Sequence, residues 1–425
     1  METTRSGTSL QSGARFQAHP FYRDIKLLFL AALIVFIITV AIGLFNGQHI
    51  VTLSQEVILT HVHSGTIGWI TLGVFALSLW LFRQYETKEL HPFMHWTSVI
   101  AAVAVPVYVL AFLSGNYLAR AIFGFPVLYV MAVFLGWIAV KSRQIQLSVP
   151  HIALLASLVT LVLGGLLGVL LQIQYATNVA FLPNGAFGAH PATLVAGYLV
   201  LIGMALSDWH FLPAAQRLSR SGVIQIVLLF LAGVAIGLAQ LLTLNPLFGL
   251  NSLFLLIGGI IYLVRLAPRV LRSNWSGVRS DPFFVASAAF IVLNIILTLY
   301  ISIQTIRGAF PDGNIPSGIL IALDHTTFVG IMTNALFGLL HEATGDRRTF
   351  WPWANQALFW ATNIGLIGFI ISLLSGIRIL ENIFTPIMGL GILLGIIVYI
   401  VRLSSGRAGS ATFVETSVGG QASSD

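Results

Sequence analysis

Three histidines stand near the start of three long apolar segments that resemble one another. The segments are THVHSGTIGWITLGVFAL (60–77), GAHPATLVAGYLVLIGMAL (188–206) and LDHTTFVGIMTNALFGLL (323–340). They place His63, His190 and His325 at similar positions, 127 and 135 residues apart. Ionisable side chains inside a bilayer are costly and usually functional. The repeated histidine therefore predicts a heme or metal site on a triplicated scaffold.

A fourth histidine, His61, stands two residues before His63. Two residues correspond to about 200° around a helix axis, so the two side chains face opposite sides of one helix. They cannot both bind one ion from these positions. Two readings stay open: the histidines serve two neighbouring sites, or one binds metal while the other makes a hydrogen bond.

The composition belongs to a membrane protein. Hydrophobic residues make up 57% of the 425 residues and charged residues only 8%. Apolar runs of about 20 residues predict an all-α polytopic protein with about twelve transmembrane helices in three pseudo-repeats of four. The predicted spans are 25–46, 57–82, 96–116, 121–141, 151–173, 187–207, 222–243, 246–267, 283–305, 317–341, 355–376 and 383–403.

We predict one membrane domain and two tails. The domain covers 25–403, with repeats at about 25–141, 151–267 and 283–403. Residues 1–24 form a cytoplasmic N-terminal tail, and the small polar residues of 404–425 predict a disordered cytoplasmic C-terminal tail. We expect no cleavable signal peptide, since no small-residue cleavage site follows the first span.

Basic residues predict the orientation. Of the 21 lysines and arginines, 18 fall on the side of the two termini, and only Arg120, Arg307 and Arg378 fall on the other side. The positive-inside rule then places both termini in the cytoplasm of a multi-pass protein of the cell's inner or plasma membrane. The four histidines would lie together in the outer half of the bilayer, because the second, sixth and tenth spans all run inward. The basic residues are spread over short loops and predict no nucleic-acid partner.

The chain contains no cysteine. This excludes thiolate ligation, iron–sulfur clusters and covalent c-type heme attachment, so any heme is non-covalent and any metal ligand is nitrogen or oxygen. Asp324 is a candidate for support of His325 or for proton acceptance, or it is simply a helix N-terminal carboxylate. Further candidate pocket residues are Trp69, Tyr198, Asn334, Trp360 and Asn363.

Glycines follow the histidines in all three segments, as in Gly68, Gly203 and Gly330. They predict close helix packing, with room for a flat macrocycle as a compatible reading. The other histidines are interpreted as interfacial residues with water or lipid headgroups as partners. They are His19, His49, His91, His95, His151, His210 and His341.

The string HVHSGTIGW (61–69) resembles the H-x-H-S-G-x-x-G-W of cbb-type heme–copper oxidases, and GAHPATLVAGY (188–198) resembles a sixth-span segment of that superfamily. The layout of twelve spans is similar to that of subunit I, including the related nitric oxide reductases. The resemblance implies that His63 and His325 are the axial pair of a b-type heme. It implies that His61 and His190 face a second heme or copper.

The sequence departs from that superfamily in several respects. Its H-x-H lies on the second span instead of the tenth, and the seventh span has no histidine for copper. We therefore expect a divergent member without a complete copper site, and not a proton-pumping oxidase. Its function would be electron transfer or the binding or reduction of O2 or NO, as in an oxidoreductase. A cytochrome, a quinol or another redox subunit would be its partner.

A second hypothesis is a non-redox transporter or a heme- or metal-handling protein that uses the histidines as substrate or proton-relay groups. Transporters usually repeat in inverted or twofold fashion, so three parallel repeats favour the heme hypothesis. A third is a structural subunit whose histidines hydrogen-bond to one another, although their common depth would then have no explanation.

Overall fold

The structure is a computed structural model that describes residues 19–82, 92–213, 218–273, 275, 280–310, 314–345, 347 and 349–405. Twelve helices in these ranges are long and apolar enough to cross a membrane, which confirms the predicted all-α polytopic fold. They are α1 (Tyr22–Gly47), α2 (Gln55–Leu81), α3 (Pro92–Leu113), α4 (Tyr117–Ser142), α5 (Val149–Thr177), α6 (Ala186–Phe211), α7 (Arg220–Leu242), α8 (Asn245–Val270), α9 (Asp281–Ile306), α10 (Ser317–Ala343), α11 (Ala354–Ser375) and α12 (Arg378–Ser404). The predicted C-terminal tail beyond 405, the N-terminal tail up to 18 and His91 lie outside the described residues.

One side of the bundle holds the first residues of α1 and the last residues of α12. Arg347, just after α10, donates hydrogen bonds to the Tyr22 hydroxyl and to the Ser405 carbonyl. We call this the terminal side. Helices α2, α6 and α10 begin at the opposite side and run towards it, so their early residues lie far from the chain termini.

The centre of the bundle is formed by α2, α6 and α10. Helix α2 is the most enclosed span, with 83% of its most apolar window buried. Glycines let these helices approach their neighbours closely: a Cβ on Gly203 would lie 2.2 Å from Ile331, and one on Gly68 would lie 2.2 Å from Val35. The close packing predicted for these glycines is therefore present.

The three central helices share an irregularity. Each changes from α-helical to π-helical hydrogen bonding soon after its histidines, at Ser64–Thr71, Val195–Leu199 and Thr326–Thr333. π-helical turns are rare and frequently occur at functional sites, where they rotate the following side chains relative to a regular helix. They mark the same level of the bundle in α2, α6 and α10.

Several of the histidines interpreted as interfacial have protein partners, so the interpretation that water or lipid headgroups are their partners is wrong for them. His210 lies between Asp281 and Glu342, with each ring nitrogen 2.9 Å from a carboxylate oxygen. His95 is 2.7 Å from buried Asp24. His19 is buried and stacks on Trp80. His151 is also buried, and its Nε2 lies within hydrogen-bond distance of the Leu81 carbonyl. These contacts join helix ends, and sequence spacing alone did not show them.

Candidate functional site: two histidine pairs

The four histidines of α2, α6 and α10 form two pairs. The rings of His61 and His325 have centroids 6.4 Å apart and planes inclined by 25°. The rings of His63 and His190 also have centroids 6.4 Å apart, with planes inclined by 13°. His61 and His63 therefore face opposite sides of α2, as predicted, and each meets a histidine from a different central helix.

All four imidazoles are fixed through the same ring nitrogen. Each Nδ1 is within hydrogen-bond distance of a backbone carbonyl, which can only accept, so Nδ1 carries the proton. The acceptors are Thr39 for His61, Leu59 for His63 and Gly164 for His190, each at 2.8 Å, and Ile321 for His325 at 2.9 Å. This tautomer leaves Nε2 with a free lone pair, the arrangement found in metal-ligating histidines.

Each pair combines two kinds of histidine. His63 and His325 bond to the carbonyl one turn earlier in their own helix. His61 and His190 bond instead to the preceding helix in the chain, α1 or α5. The two pairs thus have the same construction.

A glycine makes room for each histidine that reaches to the preceding helix. It stands four residues after the carbonyl that accepts the bond, at Gly43 in α1 and at Gly168 in α5. A Cβ on Gly43 would lie 2.9 Å from Cε1 of His61, and one on Gly168 would lie 2.7 Å from Cε1 of His190. These distances are too short for a real Cβ, so the rings occupy space that only glycine leaves free.

A second contact repeats the pairing one layer deeper. Trp69 of α2 donates from Nε1 to the hydroxyl of Thr333 in α10, at 3.0 Å. Tyr198 of α6 donates from its hydroxyl to Thr71 of α2, at 3.2 Å. All four residues stand eight positions after one of the four histidines. The interface of α6 with α2 is therefore a structural copy of the interface of α2 with α10.

These equivalences correct the predicted register of the repeats. The sequence comparison matched His190 with His63, but His190 takes the structural place of His61, two residues earlier. His325 does correspond to His63, as predicted. The third interface joins α10 and α6. The same offsets place Leu323 of α10 and Ala192 of α6 where the other two interfaces have histidines. The third interface therefore has no histidine pair at this depth.

No protein-family model matches the chain, and a comparison with curated proteins finds no relative. The arrangement of the four histidines therefore carries the interpretation. The resemblance to heme–copper oxidases implied that His63 pairs with His325. The structure brings His63 to His190 and His61 to His325. His61 and His190, expected at one second site, belong to different pairs.

A large cavity opens beside the pair of His63 and His190. The space free of protein atoms in it, counted together with the open space at its mouth, is about 1430 Å³. Apolar side chains from α2 to α6 form most of its wall, together with Gly168 and Tyr198. Its size and apolar wall suit a flat ligand much larger than a metal ion.

The remaining candidate residues lie in three settings. Tyr198 lines the cavity, whereas Trp69 is buried and stacks on Phe36. Asn334 and Asn363 exchange side-chain hydrogen bonds between α10 and α11, at 2.9 and 3.0 Å. Trp360 is exposed. Asp324 is half-buried, and it takes no part in the hydrogen bonds that fix the four histidines.

Sequence reasoning missed the aromatic and basic residues of α3 and α4 that complete the cavity wall. Phe112 stacks on the ring of His63 with centroids 3.7 Å apart, and Tyr108 meets the same ring edge-on. Arg120 lines the cavity and is almost fully buried, with 2% of its surface exposed. The one signal in the sequence was that Arg120 is among the three arginines predicted to lie on the side away from the termini.

Proposed function

We propose that this chain is an integral membrane b-type heme protein, in which His63 with His190 and His61 with His325 are the axial ligands of two hemes. The observation that carries the proposal is the pair of histidine pairs, each with the same ring separation and the same protonated Nδ1. The proposal keeps the heme expected from the sequence and changes which histidines share it.

The ring separation fits two axial ligands. A histidine nitrogen lies about 2.0–2.1 Å from a bound transition metal, and the ring centre is roughly 1 Å behind it, so two imidazoles on opposite sides of one ion have centres about 6 Å apart. Both pairs have centroids 6.4 Å apart. A direct hydrogen bond between the two rings would bring them closer than this.

The number of ligands favours heme over a bare metal ion. In the described part of the chain, no three side chains from histidine, aspartate and glutamate come together in a way that could hold an ion. Each site offers two nitrogen ligands. Copper or zinc sites usually need three or four protein ligands, whereas a porphyrin supplies four nitrogens itself. The absence of cysteine requires the heme to be held non-covalently.

Ligation by two histidines favours electron transfer. Heme held in this way exchanges single electrons, and both axial positions are filled, so none is left for a gas. His61 and His63 share one helix, two residues apart, which links the two sites directly. We expect a plasma-membrane location with cytoplasmic termini and a quinol, a cytochrome or a redox subunit as the electron donor.

Paired substitutions test both the heme and its ligands. The purified protein should show low-spin b-type bands in a reduced-minus-oxidised spectrum and two hemes per chain by pyridine hemochrome. The double variant His63→Ala/His190→Ala should keep one low-spin heme, because its losses fall in one pair. The double variant His63→Ala/His325→Ala should keep none, because it breaks both pairs.

His49→Gln is the matched control, since His49 lies in a loop outside the central helices and its Nε2 lies 3.4 Å from a carboxylate oxygen of Glu381. It should keep both hemes. Protein made with ample heme that contains none would refute the proposal. If the two double variants exchanged their outcomes, heme would stand and the pairing implied by the resemblance would replace the one proposed.

A further inference from the structure

We propose that Arg120 recognises a carboxylate of the ligand held beside His63 and His190, and that this makes the cavity selective for an acidic porphyrin. The inference rests on the proposed function and adds which chemical group of the ligand the site recognises. It is carried by a buried arginine that faces a large cavity with part of its hydrogen-bonding capacity unused.

Arg120 is held at the cavity wall by α3 and α4. One guanidinium nitrogen, Nη2, donates to the Phe112 carbonyl at 2.8 Å. The guanidinium carbon lies 4.9 Å from the centre of the Phe112 ring and 5.1 Å from that of Tyr117. Because Phe112 also stacks on His63, one aromatic ring separates the guanidinium from the imidazole.

The charge of Arg120 has no anionic partner within ion-pair distance among the described residues. Its Nε is buried and makes no hydrogen bond. Glu56 at the start of α2 acts on it only at longer range. Gln172 also lines the cavity, and its Oε1 is a second buried polar atom without a partner.

Burying a cation with unused hydrogen-bond donors costs free energy unless an anion pairs with it. Arginine presents several donors in a planar fork that matches a carboxylate. The carboxylates of a heme would lie at the edge of the macrocycle, and Arg120 lies at the cavity wall, one aromatic ring away from the His63 imidazole. The headgroup of an anionic lipid offers the same charge, so the test must distinguish the two sources.

The test compares heme with heme dimethyl ester, in which both carboxylates are masked. Full-length protein is made under heme limitation in a His325→Ala background, so that only His63 and His190 can form a low-spin site. Each porphyrin is titrated into the detergent-purified protein, and the low-spin absorption is followed. We expect heme to bind roughly 10- to 100-fold more tightly than its ester, the usual range for a charge-assisted hydrogen bond.

Arg120→Gln should reduce this preference to about twofold or less, and Arg120→Lys should keep part of it because the charge stays and the fork is lost. Arg378→Gln is the control, since Arg378 is an exposed arginine at the start of α12 on the same side of the bundle. It should leave the preference unchanged. Because the ratio is measured within each variant, a partly unfolded preparation does not imitate the result.

The outcomes separate the two proposals. If heme and ester bind equally to the unmodified Arg120 protein, the inference is wrong and the proposed function stands. A preference that persists in Arg120→Gln would also overturn it. If heme binding depends on added anionic lipid and not on esterification, Arg120 serves a lipid headgroup instead. If neither porphyrin gives low-spin absorption, the proposed function itself has failed.

Discussion

At the scale of single residues, the site depends on how the imidazole rings are fixed. In every histidine of the two pairs, the N–H at Nδ1 donates a hydrogen bond to a backbone carbonyl. Two rings are held by their own helix, and two reach to α1 or α5, where a glycine leaves space for the ring. These glycines therefore decide where the rings of His61 and His190 can lie.

Gly168→Ala should weaken the site of His63 and His190 and spare that of His61 and His325. The new methyl group would lie 2.7 Å from Cε1 of His190, so the ring must move. We expect the low-spin heme at this site to bind about tenfold more weakly, or roughly 1.4 kcal/mol. Spectral titration of heme into protein with the His325→Ala substitution measures this weakening, and the same titration in a His63→Ala background, where His61 and His325 are the remaining pair, checks that the other site is spared.

Gly136→Ala provides the control, because it is the same substitution inside a membrane-spanning helix, α4, at a position where an added Cβ would have no neighbour within 4 Å. It should leave heme binding unchanged. Equal weakening by both substitutions would show that the effect is not due to the displaced imidazole.

At the scale of helices, the two interfaces are held by the same aromatic–threonine contact. Thr71 and Thr333 end the π-helical segments of α2 and α10 and donate to carbonyls five residues earlier, at 2.9 and 2.8 Å. Each hydroxyl also accepts a hydrogen bond from Tyr198 or Trp69. Each of these threonines therefore both ends a π-helical segment and joins two central helices.

Thr333→Val should destabilise the bundle, because it leaves the buried indole N–H of Trp69 without an acceptor. An unsatisfied buried donor costs about 1–3 kcal/mol. We expect a lower unfolding temperature in detergent, measured by circular dichroism, together with a shift of the heme bands of His61 and His325. Thr177→Val removes a similar bond to the helix backbone at an exposed position and should change neither. An unchanged unfolding temperature for Thr333→Val would mean that the contact does not hold the helices together.

The sequence sufficed for the helices and for the four histidines, but not for their partners. Hydropathy placed a span at 187–207 where the structure has Ala186–Phe211, because a run of about twenty mostly apolar residues leaves few alternatives. The pairing was missed because it depends on how each helix is rotated about its axis relative to its neighbours, which spacing along the chain does not give. The roles of Gly168 and Arg120 come from contacts between distant segments, which spacing along the chain does not record.

At the scale of the whole molecule, both histidine pairs lie in one layer near the side opposite the termini. His61 and His63 are two residues apart, and each is next to its partner, so the four rings span only a few ångströms of depth. In the proposed function, electrons that pass between the two sites would move parallel to the membrane. Such a step carries no charge across the bilayer and makes no use of the membrane potential.

Which compartment this layer faces can be measured with single cysteines, because the chain has none of its own. Val179, between α5 and α6, and Leu271, after α8, lie at opposite sides of the bundle and are exposed, with 58% and 74% of their surface accessible. The excess of lysine and arginine on the terminal side predicts that this side stays in the cytoplasm. A membrane-impermeant maleimide added to spheroplasts should therefore label Val179→Cys and leave Leu271→Cys unlabelled until the cells are broken. That result would place the histidine layer near the outer surface, within reach of an external electron donor. The reverse pattern would put it on the cytoplasmic side, and the donor would have to be sought there.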